Sequence, residues 1–243
     1  SYVQSNNIKM LINCAAYTHV DRAEEDPQGA DLLNHFAVEN LASVCRECDA
    51  FLLHISTDYV FDGEGSRPYE EDAQTSPTGV YGVTKLAGEK SVKESGCRYI
   101  IIRTAWLYSE YGNNFVKTIR RLTAERDVVA VVSDQVGSPT YAADLAKAIC
   151  KVISDPDKDR KQGIYHFSNE GVCSWYDFAL AIKEMSGTTA KVIPCRSNEF
   201  PSKVKRPSFS VLDKGRIKDM FGVEVPYWRD SLLACILRMN GGN

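Results

Sequence analysis

The chain has 243 residues, of which 44% are hydrophobic and 25% are charged. That composition is typical of a globular protein and excludes a disordered, collagen-like or coiled-coil chain. Lys and Arg number 29 and Asp and Glu 32, so the net charge is −3, which argues against general binding of nucleic acids or anionic membranes. The length fits one large domain or two small ones.

Apolar runs that resemble buried strands alternate with helical patterns along the chain. The predicted strands cover residues 10–16, 51–56, 99–104, 128–132, 164–167 and 191–194. The predicted helices cover residues 27–47, 80–94, 114–125, 142–153, 175–185, 213–221 and 227–239. This alternation predicts an α/β fold with a parallel sheet covered on both faces.

The sequence lacks the patterns of a membrane span, a secretion signal or a metal site. The longest apolar runs, such as 10–12 and 99–102, are much shorter than the roughly 18–20 residues that span a bilayer, and no charged start is followed by an apolar signal core. The eight cysteines are scattered, and Cys45-x-x-Cys48 lacks the second close pair of a zinc site. The four histidines show no paired spacing. We therefore expect no bound zinc and a reducing, cytoplasmic compartment.

Tyr81 and Lys85 lie one turn apart in the predicted helix 80–94, so their side chains share one face. An ammonium group beside a phenol lowers the pKa of the phenol and makes it a usable proton donor to a carbonyl. Thr57 follows the predicted strand 51–56, and ligands of open parallel sheets bind beyond the carboxyl ends of strands. The alternatives are that Tyr81 and Lys85 are solvated on a helix surface and that Thr57 and Asp58 merely turn the chain.

Six stretches resemble one family, the dTDP-4-dehydrorhamnose reductases of the extended short-chain dehydrogenase/reductase superfamily. They begin at residues 13, 55, 80, 103, 112 and 134 and read NCAAYTHVD, ISTDYVFDG, VYGVTKLAGE, RTAWLY, GNNFVK and DQVGSPTY. Arg206-Pro207 and Ser210 also fit the family's tail. The resemblance runs in order from about residue 8 to the end of the chain. The second, third and sixth stretches together are specific to this family, whereas the YxxxK pattern alone is not.

The resemblance implies a reduction mechanism and a set of site residues. Tyr81 would give a proton to the C4 keto oxygen of dTDP-4-dehydro-6-deoxy-L-mannose, Lys85 would hold the nicotinamide ribose and lower the pKa of Tyr81, and Thr57 would orient the carbonyl. The residues implied to bind the cofactor, NADPH or NADH, are Ala15, Ala16, Tyr17, Thr18, Tyr81 and Lys85. Those implied to bind the substrate are Thr57, Asp58, Trp106, Asn114 and Arg206. For Asn114 and Arg206, a helix cap and a solvated charge are equally good interpretations.

The resemblance also implies the architecture and the partners. It implies a Rossmann-like, doubly wound NAD(P)-binding domain of residues 1–108 plus about 135–170. A smaller C-terminal α/β lobe, of about 109–134 plus 171–243, would bind the sugar nucleotide. The expected partner is a dTDP-sugar, with no nucleic acid and no membrane. A homodimer and a requirement for Mg²⁺ stay open, and no Mg²⁺ site can be placed.

The sequence departs from the family at its beginning. The family's first strand and its GxxGxxG turn, which binds the cofactor pyrophosphate, should precede residue 1. The chain opens with Ser1 instead. We expect a fragment of a longer natural chain that binds NAD(P)H poorly as given.

Two other functions stay open from the sequence. A non-catalytic regulatory subunit, similar to the β subunit of methionine adenosyltransferase, shares the fold and would be favoured by loss of the substrate residues. A sugar-nucleotide epimerase or dehydratase of the same superfamily is the second alternative. A dehydratase would want a carboxylate pair directly after Thr57, where Asp58 is the only acid.

Overall fold

The computed structural model describes residues 2–199 and 204–241. Its strands are β1 (Met10–Asn13), β2 (Phe51–Thr57), β3 (Arg98–Thr104), β4 (Leu107–Tyr108), β5 (Val128–Val132), β6 (Val136–Gly137), β7 (Thr140–Tyr141), β8 (Gly163–His166), β9 (Cys173–Ser174), β10 (Lys191–Cys195) and β11 (Phe209–Ser210). Its α-helices are α1 (Tyr2–Ser5), α2 (Val20–Glu25), α3 (Pro27–Asp31), α4 (Ala37–Glu47), α5 (Val80–Glu94), α6 (Phe115–Glu125), α7 (Ala142–Ile153), α8 (Trp175–Ser186), α9 (Gly215–Phe221) and α10 (Trp228–Gly241). A π-helical turn, Leu32–Phe36, joins α3 to α4, and 3₁₀ turns cover Asp58–Val60, Lys158–Arg160 and Ser197–Glu199.

Four strands form the main sheet in the order β1-β2-β3-β8, and all neighbouring pairs are parallel. Alternate side chains of these strands pack on opposite faces, as the two-residue period of a strand requires. Leu52 and Ile101 pack under α4 and α5, in a cluster with Val38 and Val92. Their neighbours on the same two strands, Phe51, Leu53, Ile100 and Ile102, pack on the other face against α7 and α9. The prediction of a parallel sheet covered on both faces is therefore confirmed.

A second hydrophobic core lies outside the main sheet. Strands β5 and β10 pair in parallel, and α6, α8 and α10 pack with them around Phe178 and Trp228. This smaller unit contains three of the four helices that the sequence placed in the sugar-nucleotide lobe, namely α6, α8 and α10.

The structure corrects two details of the predicted organisation. Helix α9 was assigned to the smaller lobe, but Ile217 and Phe221 pack in the core of the main sheet. The first strand ends at Asn13 rather than at residue 16, because the Ala15 amide donates to the Asn13 side chain at 3.1 Å instead of to a neighbouring strand. The rest of the proposed domain division stays a prediction. Within the described residues, no helix has both the length and the apolar composition needed to cross a membrane.

A buried ion pair ties α5 to β3 beneath the carboxyl end of the sheet. The guanidinium of Arg103 donates to Glu89 from Nε at 2.9 Å and from a terminal nitrogen at 2.7 Å. Both side chains are buried, at 3% and 1% exposure. The Ser56 hydroxyl also donates to Glu89, at 2.5 Å, and the Phe61 ring lies 5.1 Å from the guanidinium carbon. These contacts fix the position of α5 along β2 and β3.

We expect Glu89→Ala to lower the free energy of unfolding by about 3–5 kcal/mol, because it leaves the Arg103 charge buried without a partner. Urea denaturation measures the change. Glu125→Ala is the matched control, since Glu125 pairs with Arg121 on the exposed face of α6 and its loss should cost less than about 1 kcal/mol. Equal effects of the two substitutions would contradict the importance of the buried pair.

Candidate active site

The carboxyl ends of β2 and β3 open onto a cleft of about 840 Å³ between the main sheet and the smaller core. Asp58 and Tyr59 reach the cleft from the end of β2, and Trp106 reaches it just after β3. The opposite wall comes from α6, β5 and Trp175. The loop 204–208 closes one side through Arg206. This is where a parallel sheet is expected to bind ligands.

Thr57 and Tyr81, predicted as a catalytic pair, are brought together in this structure. Thr57 is buried at the last position of β2, close enough to Tyr81 for its hydroxyl to lower the pKa of the phenol. The same hydroxyl donates to Asp58 at 2.9 Å and accepts from the Tyr59 amide at 3.2 Å. The Tyr59 ring packs edge-on against the Tyr81 ring, with 5.3 Å between centroids. Tyr81 therefore sits in a crowded, partly buried position beside the strand end.

Two glycines allow α5 to approach its neighbours this closely. A Cβ at Gly82 would lie 2.2 Å from the Tyr59 carbonyl oxygen, and one at Gly88 would lie 2.2 Å from the Asn34 carbonyl oxygen. Both atoms belong to the backbone and cannot move aside without shifting a segment. Glycine is thus required at position 82, next to Tyr81, and at position 88 further along α5.

Burial raises the pKa of Tyr81, and the neighbouring Asp58 and Tyr59 raise it further, while the Thr57 hydroxyl lowers it. The sequence predicts that Lys85 lowers the pKa of Tyr81, but Lys85 is not among the groups that shift this pKa in the structure. The Lys85 amine donates to the Ile55 carbonyl at 2.7 Å. Burial lowers the pKa of Lys85 to about 8, since water no longer solvates its charge.

A buried asparagine that the sequence analysis did not single out positions the loop after β1. Asn34 accepts from the Tyr17 amide at 2.8 Å and donates to the Tyr17 carbonyl at 3.2 Å. It also donates to the Thr84 hydroxyl on α5 at 3.2 Å. Asn34 belongs to the π-helical turn, a distortion that is frequent at functional sites. The sequence signal that could have identified Asn34 is a polar side chain within the apolar helical pattern of residues 30–38.

The residues predicted to hold a cofactor converge on one corner of the site. Ala15, Ala16, Tyr17 and Thr18 form the loop that Asn34 ties to α5, which carries the other two residues of the set. The Tyr17 hydroxyl is buried without a partner, and Lys85 supplies a buried donor. Small and polar groups in this arrangement fit the nicotinamide and ribose end of a dinucleotide. No group of three or more metal-ligating side chains occurs among residues 2–199 and 204–241, and the cysteines are all free.

Asp58 is a buried carboxyl group at the floor of the cleft. One of its oxygens accepts from Thr57, and the other has no hydrogen-bond partner in the described structure. Burial raises the pKa of Asp58 to about 7, against the lowering effect of its hydrogen bonds. Its second oxygen is buried without a partner, so the site favours the protonated form of Asp58.

Trp106, predicted to stack on a sugar, stacks on another indole in this structure. Its ring lies parallel to that of Trp175, with 3.5 Å between the two centroids. The indole nitrogen of Trp106 donates to the Ser210 hydroxyl at 3.0 Å. The backbone φ of Trp106 is +49°, which is uncommon for a bulky residue and concentrates at functional sites. Trp106 is thus held at the cleft by Trp175 and Ser210.

The two remaining predicted substrate residues differ in their placement. Arg206 lines the cleft, forms an ion pair with Asp21, and lies 3.4 Å from the Tyr59 hydroxyl. Asn114 caps α6, accepting from the Lys117 amide at 3.2 Å and donating to the Ser109 carbonyl at 2.7 Å, and it is not among the lining residues of the cleft. The helix-cap interpretation of Asn114 describes what the structure shows.

We expect the stability of the protein to fall as pH rises from about 4 to about 7, in part through Asp58. The folded protein keeps a proton on Asp58 in this range that the unfolded chain has released, so the contribution disappears as pH passes the folded pKa of about 7. Asp58→Asn mimics the protonated acid and should lack this part of the decline. Urea denaturation at a series of pH values tests this, with the exposed Asp219→Asn as control. Parallel curves for the wild type and Asp58→Asn would refute it.

Comparison with known proteins identifies relatives over nearly the whole chain. A family model described as RmlD substrate binding domain matches residues 1–240. The dTDP-4-dehydrorhamnose reductase of Aggregatibacter actinomycetemcomitans is 39% identical over 240 residues, covering 96% of this chain and 82% of that protein. A crystal structure of a dTDP-4-dehydrorhamnose reductase from Clostridium acetobutylicum ATCC 824 superposes with a TM-score of 0.94 at 42% identity, covering 98% of this chain and 84% of the other.

A second solved structure adds a ligand to the comparison. The dTDP-4-dehydrorhamnose reductase of Bacillus anthracis str. Ames, determined in complex with NADP, superposes with a TM-score of 0.91 at 40% identity, covering 98% of this chain and 83% of the other. The family resemblance inferred from the sequence stretches is confirmed by the family model and by these relatives. The chain belongs to the dTDP-4-dehydrorhamnose reductase family, and its main sheet has the Rossmann-like topology of that family.

Proposed function

We propose that this protein reduces the C4 keto group of dTDP-4-dehydro-6-deoxy-L-mannose to give dTDP-L-rhamnose, with NADPH or NADH as the reductant. The observation that carries the proposal is the placement of Thr57 at the end of β2, next to Asp58 and Tyr59 of the cleft, with the Tyr81 ring 5.3 Å from the Tyr59 ring. The chain is also about 40% identical to proteins named dTDP-4-dehydrorhamnose reductase. A sugar nucleotide is the substrate class, and the reaction places the protein in deoxysugar synthesis for cell-surface polysaccharides.

The chemistry required of the protein is the delivery of one proton. Bound nicotinamide cofactor supplies a hydride to C4. Tyr81 gives its phenolic proton to the C4 oxygen, and Thr57 orients that oxygen by hydrogen bonding. The raised pKa of Tyr81 keeps the phenol protonated at neutral pH, and transfer to an alkoxide, a much stronger base, is favourable.

Two groups of residues would hold the reactants. We propose that the loop of Ala15, Ala16, Tyr17 and Thr18, together with Lys85, holds the nicotinamide end of the cofactor. Asp58 and Trp106 would contact the deoxysugar, because both line the cleft. Arg206 would meet the diphosphate, since a guanidinium suits phosphate geometry. Asn114 has no part in this proposal, and cytoplasmic location and a homodimer stay predictions.

The alternative functions lack a supporting observation. A regulatory subunit would not need Thr57, Tyr81 or the buried carboxyl of Asp58, and the presence of all three residues favours the reductase. A dehydratase would need a second acid beside Asp58, and Tyr59 stands there instead. Solved dehydratases and epimerases resemble this chain at 16–20% identity, which is a likeness of fold alone.

We expect Tyr81→Phe in the full-length protein to reduce turnover at least about a hundredfold, the usual scale for loss of a positioned proton donor. Binding of the sugar nucleotide should change little, since the ring is retained. Oxidation of NADPH by dTDP-4-dehydro-6-deoxy-L-mannose measures turnover, and calorimetry with the dTDP-sugar measures binding. Tyr111→Phe, at an exposed tyrosine remote from the cleft, is the control. Near-normal turnover of Tyr81→Phe would remove Tyr81 from the mechanism.

We expect Arg206→Ala to weaken binding of the dTDP-sugar by about ten- to a hundredfold, the value of a hydrogen bond to a charged group. The effect should appear in KM more than in kcat, because the diphosphate is remote from C4. Arg229→Ala removes a half-exposed guanidinium that pairs with Glu184 outside the lining of the cleft and is the matched control. Unchanged KM for Arg206→Ala, or an equal rise for both variants, would show that Arg206 is a structural partner of Asp21 only.

A further inference from the structure

A fully buried histidine stands between the sheet and the Lys85 amine. His54 lies on β2, facing α5, with no exposed surface. Its Nε2 is 3.4 Å from the Lys85 Nζ, and its Nδ1 is 3.0 Å from the Asn13 side-chain nitrogen on β1. The three side chains form a polar row across the sheet edge, inside an otherwise apolar environment. Neither His54 nor Asn13 has a role in the mechanism proposed above.

The orientation of the Asn13 amide is fixed by the backbone. The Ala15 amide, which is always a donor, lies 3.1 Å from the Asn13 Oδ1, so the oxygen must face that amide. The NH₂ group of Asn13 is then the part that faces the His54 Nδ1. Turning the amide would oppose two N–H donors at Ala15 and lose a buried hydrogen bond.

The tautomer of His54 follows from this orientation. An Nδ1 that accepts a hydrogen bond carries no proton, so neutral His54 carries its proton on Nε2. Burial and the neighbouring Lys85 hold the pKa of His54 well below its usual value, which agrees with a neutral ring. The Nε2 proton therefore points at the Lys85 amine, which can accept it only when the amine is uncharged, because an ammonium group has no lone pair.

The other charged and titratable groups around Lys85 do not cancel this preference. Glu89, one turn further along α5, already accepts from Ser56 and twice from Arg103. Its charge raises the pKa of Lys85, as does the Cys14 thiol from the loop after β1, but burial outweighs both. Lys85 therefore lies in a setting where its charge depends on the neighbouring imidazole.

We infer that Asn13 and His54 are positioning residues that favour the uncharged form of the Lys85 amine by directing the His54 Nε2 proton at it. The contacts among Asn13, His54 and Lys85 are sufficient to support this role. Its consequence for turnover rests on the proposed function, in which Lys85 holds the nicotinamide ribose. There the charge of Lys85 enters the reaction, so the row sets where the alkaline limb of the pH profile lies.

The first test determines the tautomer of His54 in the unsubstituted protein. Nitrogen-15 NMR of the full-length protein with labelled histidine reports which ring nitrogen carries the proton, and the resonances that vanish in His54→Gln assign His54. We expect a protonated Nε2 and a bare Nδ1. The opposite tautomer in the wild type would overturn the inference.

The second test reverses the tautomer with Asn13→Asp. The carboxylate still accepts from the Ala15 amide, and its other oxygen accepts from the His54 Nδ1, so Nε2 becomes an acceptor for a charged Lys85. We expect the NMR signals of His54 to report a protonated Nδ1. We also expect the lysine ¹³Cε titration of Lys85 to move up by about one pH unit, a modest shift for such a change of partner.

Asn40→Asp adds the same charge at an exposed position on α4 and should leave both readings unchanged. An unmoved Lys85 titration in Asn13→Asp, or a moved titration without a change of tautomer, would overturn the inference.

In turnover assays of Asn13→Asp, the alkaline limb of the pH profile should shift in the direction of the Lys85 titration. Wild-type NMR as expected but no turnover of the dTDP-sugar would leave the positioning role supported and would refute the proposed function.

Discussion

The site depends on the close approach of α5 to the carboxyl end of β2. Gly82 and Gly88 remove the side chains that would hold the helix away from the backbone of Tyr59 and Asn34. The buried ion pair of Glu89 and Arg103 then fixes the helix along the sheet. With the helix in this place, Tyr81 lies near Thr57, and the amine of Lys85 donates to the carbonyl of Ile55. The positions of the proposed catalytic residues therefore depend on how closely the backbone of α5 approaches the backbone of Tyr59 and Asn34.

Most of the fold was predictable because its elements have strong periodic patterns. The buried strands β2 and β3 are continuous apolar runs, and α5 and α7 match their predicted bounds. The short strands β4, β6, β7, β9 and β11 were missed because two residues are too few to show a period. Helix α9 was assigned to the wrong core because its amphipathic pattern shows which face is buried but not against which neighbour it packs.

The site was predictable where a residue belongs to a recognisable motif and less so where its role depends on packing. Thr57 and Tyr81 were found from YxxxK and the preceding strand. The direction of the Tyr81 pKa was wrong, because helical spacing places Lys85 on the same face without showing where its amine points. Asn34, Asn13 and His54 carry no spacing signal, and their partners come from distant segments. Asn114, in turn, has a motif but serves as a helix cap.

The pair of parallel indoles at the mouth of the cleft has an optical consequence. Trp106 follows a strand of the main sheet and Trp175 begins a helix of the smaller core, yet their rings are stacked at 3.5 Å and 8°. Transition dipoles at such a separation couple and split, giving a paired signal in the near-ultraviolet circular dichroism spectrum. Trp228, the third and last tryptophan, lies in the same core but packs edge-on against Phe178. The intensity of this signal therefore reports the distance and angle between the two indoles, and it would change if one lobe moved relative to the other.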